Sequence, residues 1–252
     1  LDRISIITAT FNSESTIQQT IDSVLSQQGV DVEHIIVDGG SIDGTMAAVG
    51  RYPHIRKKIS EPDRGMYDAM NKGIAMAEGD VIGILNSDDV YHDPYVLSSV
   101  SKTFRDDEVD VAYGDLEYVS GRNADKVLRY WRAGSYRKGL FKLGWMPPHP
   151  SFFVRREAYL RHGRFNLELG TAADYELMLR FMHLHGLKPA YIDRVLVRMR
   201  SGGASNESFS ARWKANRNDL KAWGVNGIKP YWFTIYLKPM RKIGQFMMRR
   251  RD

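Results

Sequence analysis

The sequence predicts an α/β fold with a mostly parallel, doubly wound central sheet flanked by helices, and three observations carry that expectation. Short β-branched apolar runs alternate with segments of helical periodicity, the order that parallel βαβ units require. The first of these runs end in turns rich in Gly, Asn, Ser or Asp. With 252 residues, 43% of them hydrophobic, the chain is long enough to bury a sizeable core.

RISIITATFN reads as a buried strand entering a turn, and STIQQTIDSVLSQQ as a helix with Ile17, Ile21, Val24 and Leu25 on one face. Ser13 or Ser15 is placed to cap it. HIIVDGGSIDGTM repeats the plan, with Asp43 or Thr45 as the cap of the next helix. After IRKKIS comes the helix GMYDAMNKGIAMA, whose Met66, Met70 and Ile74 fall at i, i+4 and i+8. The apolar run 81–85 then stops abruptly at Asn86-Ser87-Asp88-Asp89. YGDLEYV reads as a strand pair, and RKGLFKLGWMPPHPSFFVRREAY as a loop, a strand and a helix. In TAADYELMLR a helix begins at Asp174, with Leu177, Met178 and Phe181 turned inward.

Composition removes several function classes. Without cysteine there are no disulfides, zinc-thiolate sites or cysteine nucleophiles, which fits a reducing cytoplasm. No run approaches the ~18 apolar residues of a membrane span, and the chain starts in a strand with no secretory leader. The net charge of +6 suggests nucleic acid until it is located: residues 229–252 carry seven basic residues against Asp252, so residues 1–228 are neutral. A neutral body and a methionine-rich tail argue against a nucleic-acid partner.

In open α/β sheets ligands gather beyond the carboxyl ends of the strands. Three such ends are polar here, Thr8 to Asn12, Asp38 to Asp43 and Ser87 to Asp89, and they are expected to converge on one crevice. DGGSIDGT is neither the dinucleotide fingerprint nor a Walker loop; its glycines suit simple turns or close approach of a ligand. Taken alone, Asp88-Asp89 fits a solvated turn or a cap for a helix near Pro94. In that crevice the pair also suits Mg²⁺ or Mn²⁺, hard cations that keep waters and share ligands with substrate phosphates.

SIITATFN, IIVDGGSIDGT, SEPDRGMYDAMNKGIAMAEGDVIGILNSDDVY and TAADYELMLR together resemble a family 2 glycosyltransferase of GT-A fold, in that family's order and spacing from residue 4 to about 205. The resemblance is strongest to bacterial enzymes that build capsule, exopolysaccharide and O-antigen repeat units. It implies a nucleotide-sugar donor half at 1–115, an acceptor half at 116–228 and a separate basic amphipathic tail at 229–252. Ser87-Asp88-Asp89 matches the family's DXD-type motif, with Asp89 as ligand of Mn²⁺ or Mg²⁺ and Asp88 nearer the ribose. Asp174 matches the base of an inverting displacement; without the resemblance it reads as a carboxylate favoured at a helix N-terminus. Glu176, on another helical face, suits the role less.

Nucleotide-sugar contacts are expected from Thr8, Ala9, Thr10, Asn12, Asp38, Gly39, Asp63, Arg64, Asn71 and Lys72 as well. One departure bears on the donor. Many members carry a second Asp, commonly facing uracil, where this chain has Gly39. Backbone groups, Asp38 or Asp63 are left to read the base, so a UDP-sugar comes first while GDP- and dTDP-sugars stay open. On the acceptor side, Trp145 offers a face for sugar stacking and His149 lies in a rigid Pro-His-Pro loop. Arg200 and Ser205 lie in a segment resembling the family's flexible loop, where they reach the diphosphate.

In the tail, Leu237, Met240, Ile243 and Met247 form one stripe and Lys238, Lys242 and Arg249 another, behind the aromatics Tyr231, Trp232, Phe233 and Tyr236. That pattern suits a helix resting on an anionic membrane, or one packed on the domain with a solvated basic end. The first alternative places the chain on the inner face of the plasma membrane, with a saccharide or lipid-linked saccharide acceptor. A non-catalytic nucleotide-sugar-binding or assembly protein on the same fold is the competing functional expectation.

Overall fold

The computed structural model describes residues 3–121, 126–201, 209–234, 236–238 and 240–241, with side chains of 209–216 left aside. Four parallel strands build the first half: β1 Ile4–Thr10, β2 Val32–Asp38, β3 Lys57–Ser60 and β4 Val81–Ile84, in the order β3-β2-β1-β4. Their pairing runs in register from Ile4 opposite Val32 to Thr10 opposite Asp38, and from Ile4 opposite Val81 on the other edge of β1. The helices between them are α1 Ile17–Leu25, α2 Thr45–Val49 and α3 Met66–Met76.

Because successive strand residues point to opposite faces, β1 divides its side chains between two cores. Ile4 and Ile6 join Val24 and the residues Val96, Leu97 and Val100 of α4, Val96–Thr103. Ile7 and Ala9 pack with Ala69, Met70 and Ile74 of α3 on the other face. Gly73 lets α3 sit directly on β1, since a Cβ there would collide with Ile7. The expected stripe on α3 is buried at Met70 and Ile74, whereas Met66 is exposed, at the helix end beyond the sheet's cover.

The second half is mixed. β6 Val111–Val119 runs parallel to β9 Pro189–Arg200 along one edge. Its other edge is shared by antiparallel β8 Phe152–Arg155, which joins β4, and β7 Val127–Trp131. The two-residue strand β5 Val90–Tyr91 closes onto β9. YGDLEYV therefore lies within one strand and not a strand pair; its partner is 127–131. The expected strand and helix of the next segment are β8 and α5 Arg156–His162. Helix α6 Ala173–Met178 continues as a π-helix to Leu184, and Leu177, Met178 and Phe181 are fully buried as expected. Helix α7 Phe209–Val225 follows, with Trp223 in the core.

Local capping departs from expectation at α1, which has no side-chain cap: Ser13 accepts from Thr16 and Ile17 through its backbone carbonyl. The N-cap of α2 is Gly44, with no side-chain cap of its own, and Asp43 just before it accepts from the Thr45 amide through Oδ1 at 3.0 Å. Residues 234–241 dock on the domain where described: Thr234 Oγ1 donates to the Lys142 carbonyl, Lys238 pairs with Asp219, and Arg241 Nε donates to the Leu143 carbonyl. Positions 242–252 of the expected tail helix lie outside the described residues. Among the described residues no helix is long and apolar enough to cross a membrane.

Candidate active site

The three polar strand ends do converge. Beyond β1, Asn12 takes φ +48° and ties its loop to the next one: its amide donates to Ser41 Oγ at 2.8 Å and its Oδ1 accepts from the Ile42 amide at 3.0 Å. Ser13 Oγ lies 2.9 Å from Ser87 Oγ, joining the β1 and β4 ends, and Gly39 N–H donates to the Thr10 carbonyl. The Ser13–Ser87 link was not legible in the sequence, because either hydroxyl alone looks like a loop residue.

Asp89 lies at the bottom of this crevice and is fully buried. The β5–β9 pairing puts it there: it brings the Arg200 amide to 3.2 Å from Asp89 Oδ1, while Asn86 Nδ2 donates to Oδ2 at 2.9 Å. Burial first, and then the neighbouring Asp88, push the Asp89 carboxyl up to about 8. Burial also raises Asp88, against the positive charge of Arg200. Arg200 and the two hydrogen bonds to Asp89 offset only part of the cost of a charged pair here, since burial still raises both carboxyls. Among the described residues no group of three or more His, Asp or Glu is gathered to hold a metal. An Asp88-Asp89 site therefore fits a hard cation that completes its shell with water and substrate oxygens, as Mg²⁺ and Mn²⁺ do.

Asp174 lies in the first turn of α6, its Oδ1 accepting from the Tyr175 amide at 2.7 Å. Its charge reaches three aromatic groups around it. Burial and then Asp174 raise the Tyr67 phenol well above its ordinary value. His149 is lowered by burial and raised by Asp174. Tyr118 of β6, raised chiefly by burial, is also raised by Asp89 and Asp174, so both carboxylates lie within electrostatic reach of it. Tyr67 and Tyr118 were missed in the sequence, where each passes for a core aromatic at strand or helix spacing. Glu176 is buried in a bidentate pair with Arg180 and is committed to the fold.

Several expected ligand side chains are occupied elsewhere. Thr8 is a core residue whose Oγ1 lies 3.1 Å from His34 Nε2, because its place in β1 turns it under the sheet. Ala9 is likewise a core side chain. Thr10 ends the strand with a buried Oγ1 that has no partner among the described residues. Asp38 holds the following turn, accepting from Ser41 N, Ser41 Oγ and Ser60 Oγ. Asn71 spends both ends of its carboxamide on the backbone of Phe165. Lys72 pairs with Glu61 at 2.8 Å, and the exposed Arg64 with Asp68. Trp145 offers no stacking face: it is 6% exposed, donates Nε1–H to the Ala133 carbonyl and packs against Tyr113, Tyr136 and Phe141. An aromatic between glycine and proline-rich turns reads as accessible in sequence, and only the tertiary packing decides otherwise. Ser205 lies outside the described residues.

Gly39 has a different neighbour. A Cβ built on it would stand 2.6 Å from Asp63 Oδ2 and 3.4 Å from the exposed Phe11 ring, so the Asp63 carboxylate fills the space a residue 39 side chain would take. Asp63 Oδ1 meanwhile accepts from the Gly65 amide at 2.8 Å.

A model of the glycosyl transferase family 2 matches residues 5–163. The chain belongs to this family. An uncharacterized glycosyltransferase of Mycobacterium tuberculosis is 34% identical over 184 residues, 70% of this chain and 68% of its own length. A PGL/p-HBAD biosynthesis glycosyltransferase of Mycobacterium bovis is 29% identical over 208 residues, 80% of this chain and 78% of its own. Solved structures share the fold at lower identity. Staphylococcus aureus TarS 1–349 in complex with UDP superposes with a TM-score of 0.65 at 19% identity, covering 87% of this chain but only 65% of that one. The mannosyltransferase PcManGT of Pyrobaculum calidifontis, solved with GDP-Man and Mn²⁺, gives 0.65 at 19% identity over 93% of this chain and 68% of its own. These likenesses bear out the α/β GT-A architecture and the glycosyltransferase assignment.

Proposed function

We propose that this family 2 member is an inverting, metal-dependent transferase that moves a sugar from a nucleotide-diphosphate sugar to a glycan or lipid-linked saccharide in cell-surface polysaccharide assembly. The observation that carries the proposal is the adjacent Asp88-Asp89 pair at the meeting of three strand ends, with Asp89 fully buried and Asp174 near enough to act on the same Tyr118 as Asp89 does. Asp88 and Asp89 are the residues to hold Mn²⁺ or Mg²⁺ beside the diphosphate, and Arg200 adds a positive charge at the same place. A cation bound there supplies Lewis-acid stabilisation of the departing nucleotide.

Asp174 accepts the proton of the acceptor hydroxyl as its oxygen attacks C1 of the sugar. The new glycosidic bond forms on one face while the bond from C1 to the diphosphate breaks on the other, which inverts C1. His149 and Tyr67 border this space and suit acceptor contacts. For the base of the nucleotide, Asp38 is spent on its own turn, so Asp63 beside Gly39 is the better reader. A carboxylate there accepts from the ring N–H of uracil, thymine or guanine, and Phe11 offers a flanking aromatic face. A UDP-sugar stays the first choice; TarS solved with UDP-GlcNAc and PcManGT solved with GDP-Man support the nucleotide-sugar class.

Asp174→Asn is expected to end sugar transfer while sparing nucleotide binding, measured by release of nucleotide in the presence of acceptor. Normal transfer by that variant would remove Asp174 from the role of base.

A further inference from the structure

Asn71 lies on α3 in the donor half, yet its side chain serves the acceptor half. Its Nδ2 donates to the Phe165 carbonyl and its Oδ1 accepts from the Phe165 amide, both at 2.9 Å. Arg164 Nη1 adds a bond to the Asn71 carbonyl at 3.3 Å. The segment so held leads directly into α6 and Asp174. A second tie comes from the base-bearing helix itself: Arg180 donates to the carbonyls of His162 and Arg164 and is anchored by the buried Glu176. Asn226 Nδ2 donates to that same Glu176 at 3.1 Å.

Phe165, at the centre of the latch, is 4% exposed. Its ring lies 5.2 Å from Tyr67 and 5.7 Å, edge to face, from His149, the two groups that flank Asp174. One residue thus carries the backbone that Asn71 grips and the ring that spaces the wall of the base site.

We propose that Asn71 is a positioning residue, whose carboxamide latches the segment 164–172 to α3 and so fixes Asp174 relative to the donor crevice. The proposal rests on the reading of Asp174 as the base. The chemistry selects asparagine. A carboxamide is the short side chain that both donates and accepts, and so pairs with one residue's N–H and C=O together. Leucine has nearly the same shape and leaves both Phe165 groups without a partner. Aspartate keeps the acceptor, loses the donor and sets a charge against the carbonyl.

The test uses the full chain with Asn71→Leu, Asn71→Asp and Asp174→Asn. Amide hydrogen exchange of residues 164–174 is expected to rise about tenfold in Asn71→Leu while strands 4–10 and 32–38 keep their protection. UDP affinity with Mn²⁺ and the KM for UDP-GlcNAc should stay within about twofold, and kcat for UDP release should fall roughly tenfold to a hundredfold. Asn71→Asp, with half the latch, is expected between Asn71→Leu and wild type in both readouts. Unchanged exchange, unchanged kcat, or a loss carried by KM or UDP affinity would overturn the latch. If Asn71→Leu is too unstable to purify, Asn71→Asp decides by the same readouts. An inactive Asp174→Asn beside a fully active Asn71→Leu refutes the latch alone, whereas an active Asp174→Asn refutes the base assignment.

Discussion

Asp174 and Asp89 are both carboxylates at the ends of elements, yet they sit in opposite settings. Asp89 is sealed in, its two oxygens met by Asn86 and the Arg200 amide, and burial raises its carboxyl. Asp174 opens a helix and faces a wall of aromatic groups. Removing a positioned proton acceptor costs about 10² to 10⁴ in rate. That range is the loss expected for Asp174→Asn, confined to kcat. Residue by residue, the positions of the motif carboxylates were legible, Asp88-Asp89 beyond a strand end and Asp174 in the first turn of a helix. Asn71 and Trp145 instead spend their polar groups inside the fold, on the backbone of Phe165 and of Ala133, partners that the sequence alone does not reveal. Gly39 was legible as a departure, but the carboxylate that fills its space comes from a third loop and needed the folded chain.

At the scale of elements, the parallel half was readable almost strand for strand. The runs of β1, β2 and β4 are rich in β-branched residues and mostly buried, and β1, β2 and β3 are each followed by a helix. β7 and β5 were not, since five and two residues carry no decisive period. β2 also carries an unexpected buried group. His34 is 3% exposed, near the Thr8 hydroxyl, and burial followed by the proximity of His54 lowers it to about 3. Because the folded state holds this imidazole neutral, its contribution is complete above the unfolded value near 6.5 and is lost as pH falls toward 3. Each pH unit in that window costs up to about 1.4 kcal/mol. Chemical denaturation between pH 4 and 7 is expected to show this slope, and His34→Gln to flatten it; an equal slope in the variant would place the acid sensitivity elsewhere.

For the whole molecule, one sheet joins the parallel first half of the chain to the mixed second half through the β4–β8 pairing. The docked start of the tail leaves Trp232 at 83% exposure and also exposes Tyr231, Tyr236 and Met240, with Lys142 Nζ over the Tyr231 ring and Arg241 bonded to the nearby Leu143 carbonyl. Aromatic and basic groups on one surface suit an anionic membrane, which we propose as the partner of this face. Trp232→Ser with Tyr236→Ser is expected to lower co-sedimentation with vesicles containing phosphatidylserine while leaving nucleotide binding intact. Undiminished sedimentation would discard the membrane role.

The central claim is that the Asp88-Asp89 pair and a divalent cation together hold the nucleotide. Calorimetric titration with UDP, GDP, dTDP and CDP, each with and without Mn²⁺, tests it directly in the wild type, Asp89→Ala and Asp63→Asn. One nucleotide, UDP first, is expected to bind only with Mn²⁺, Asp89→Ala to lose it, and Asp63→Asn to weaken it. Binding that ignores Mn²⁺ or survives Asp89→Ala would contradict the account.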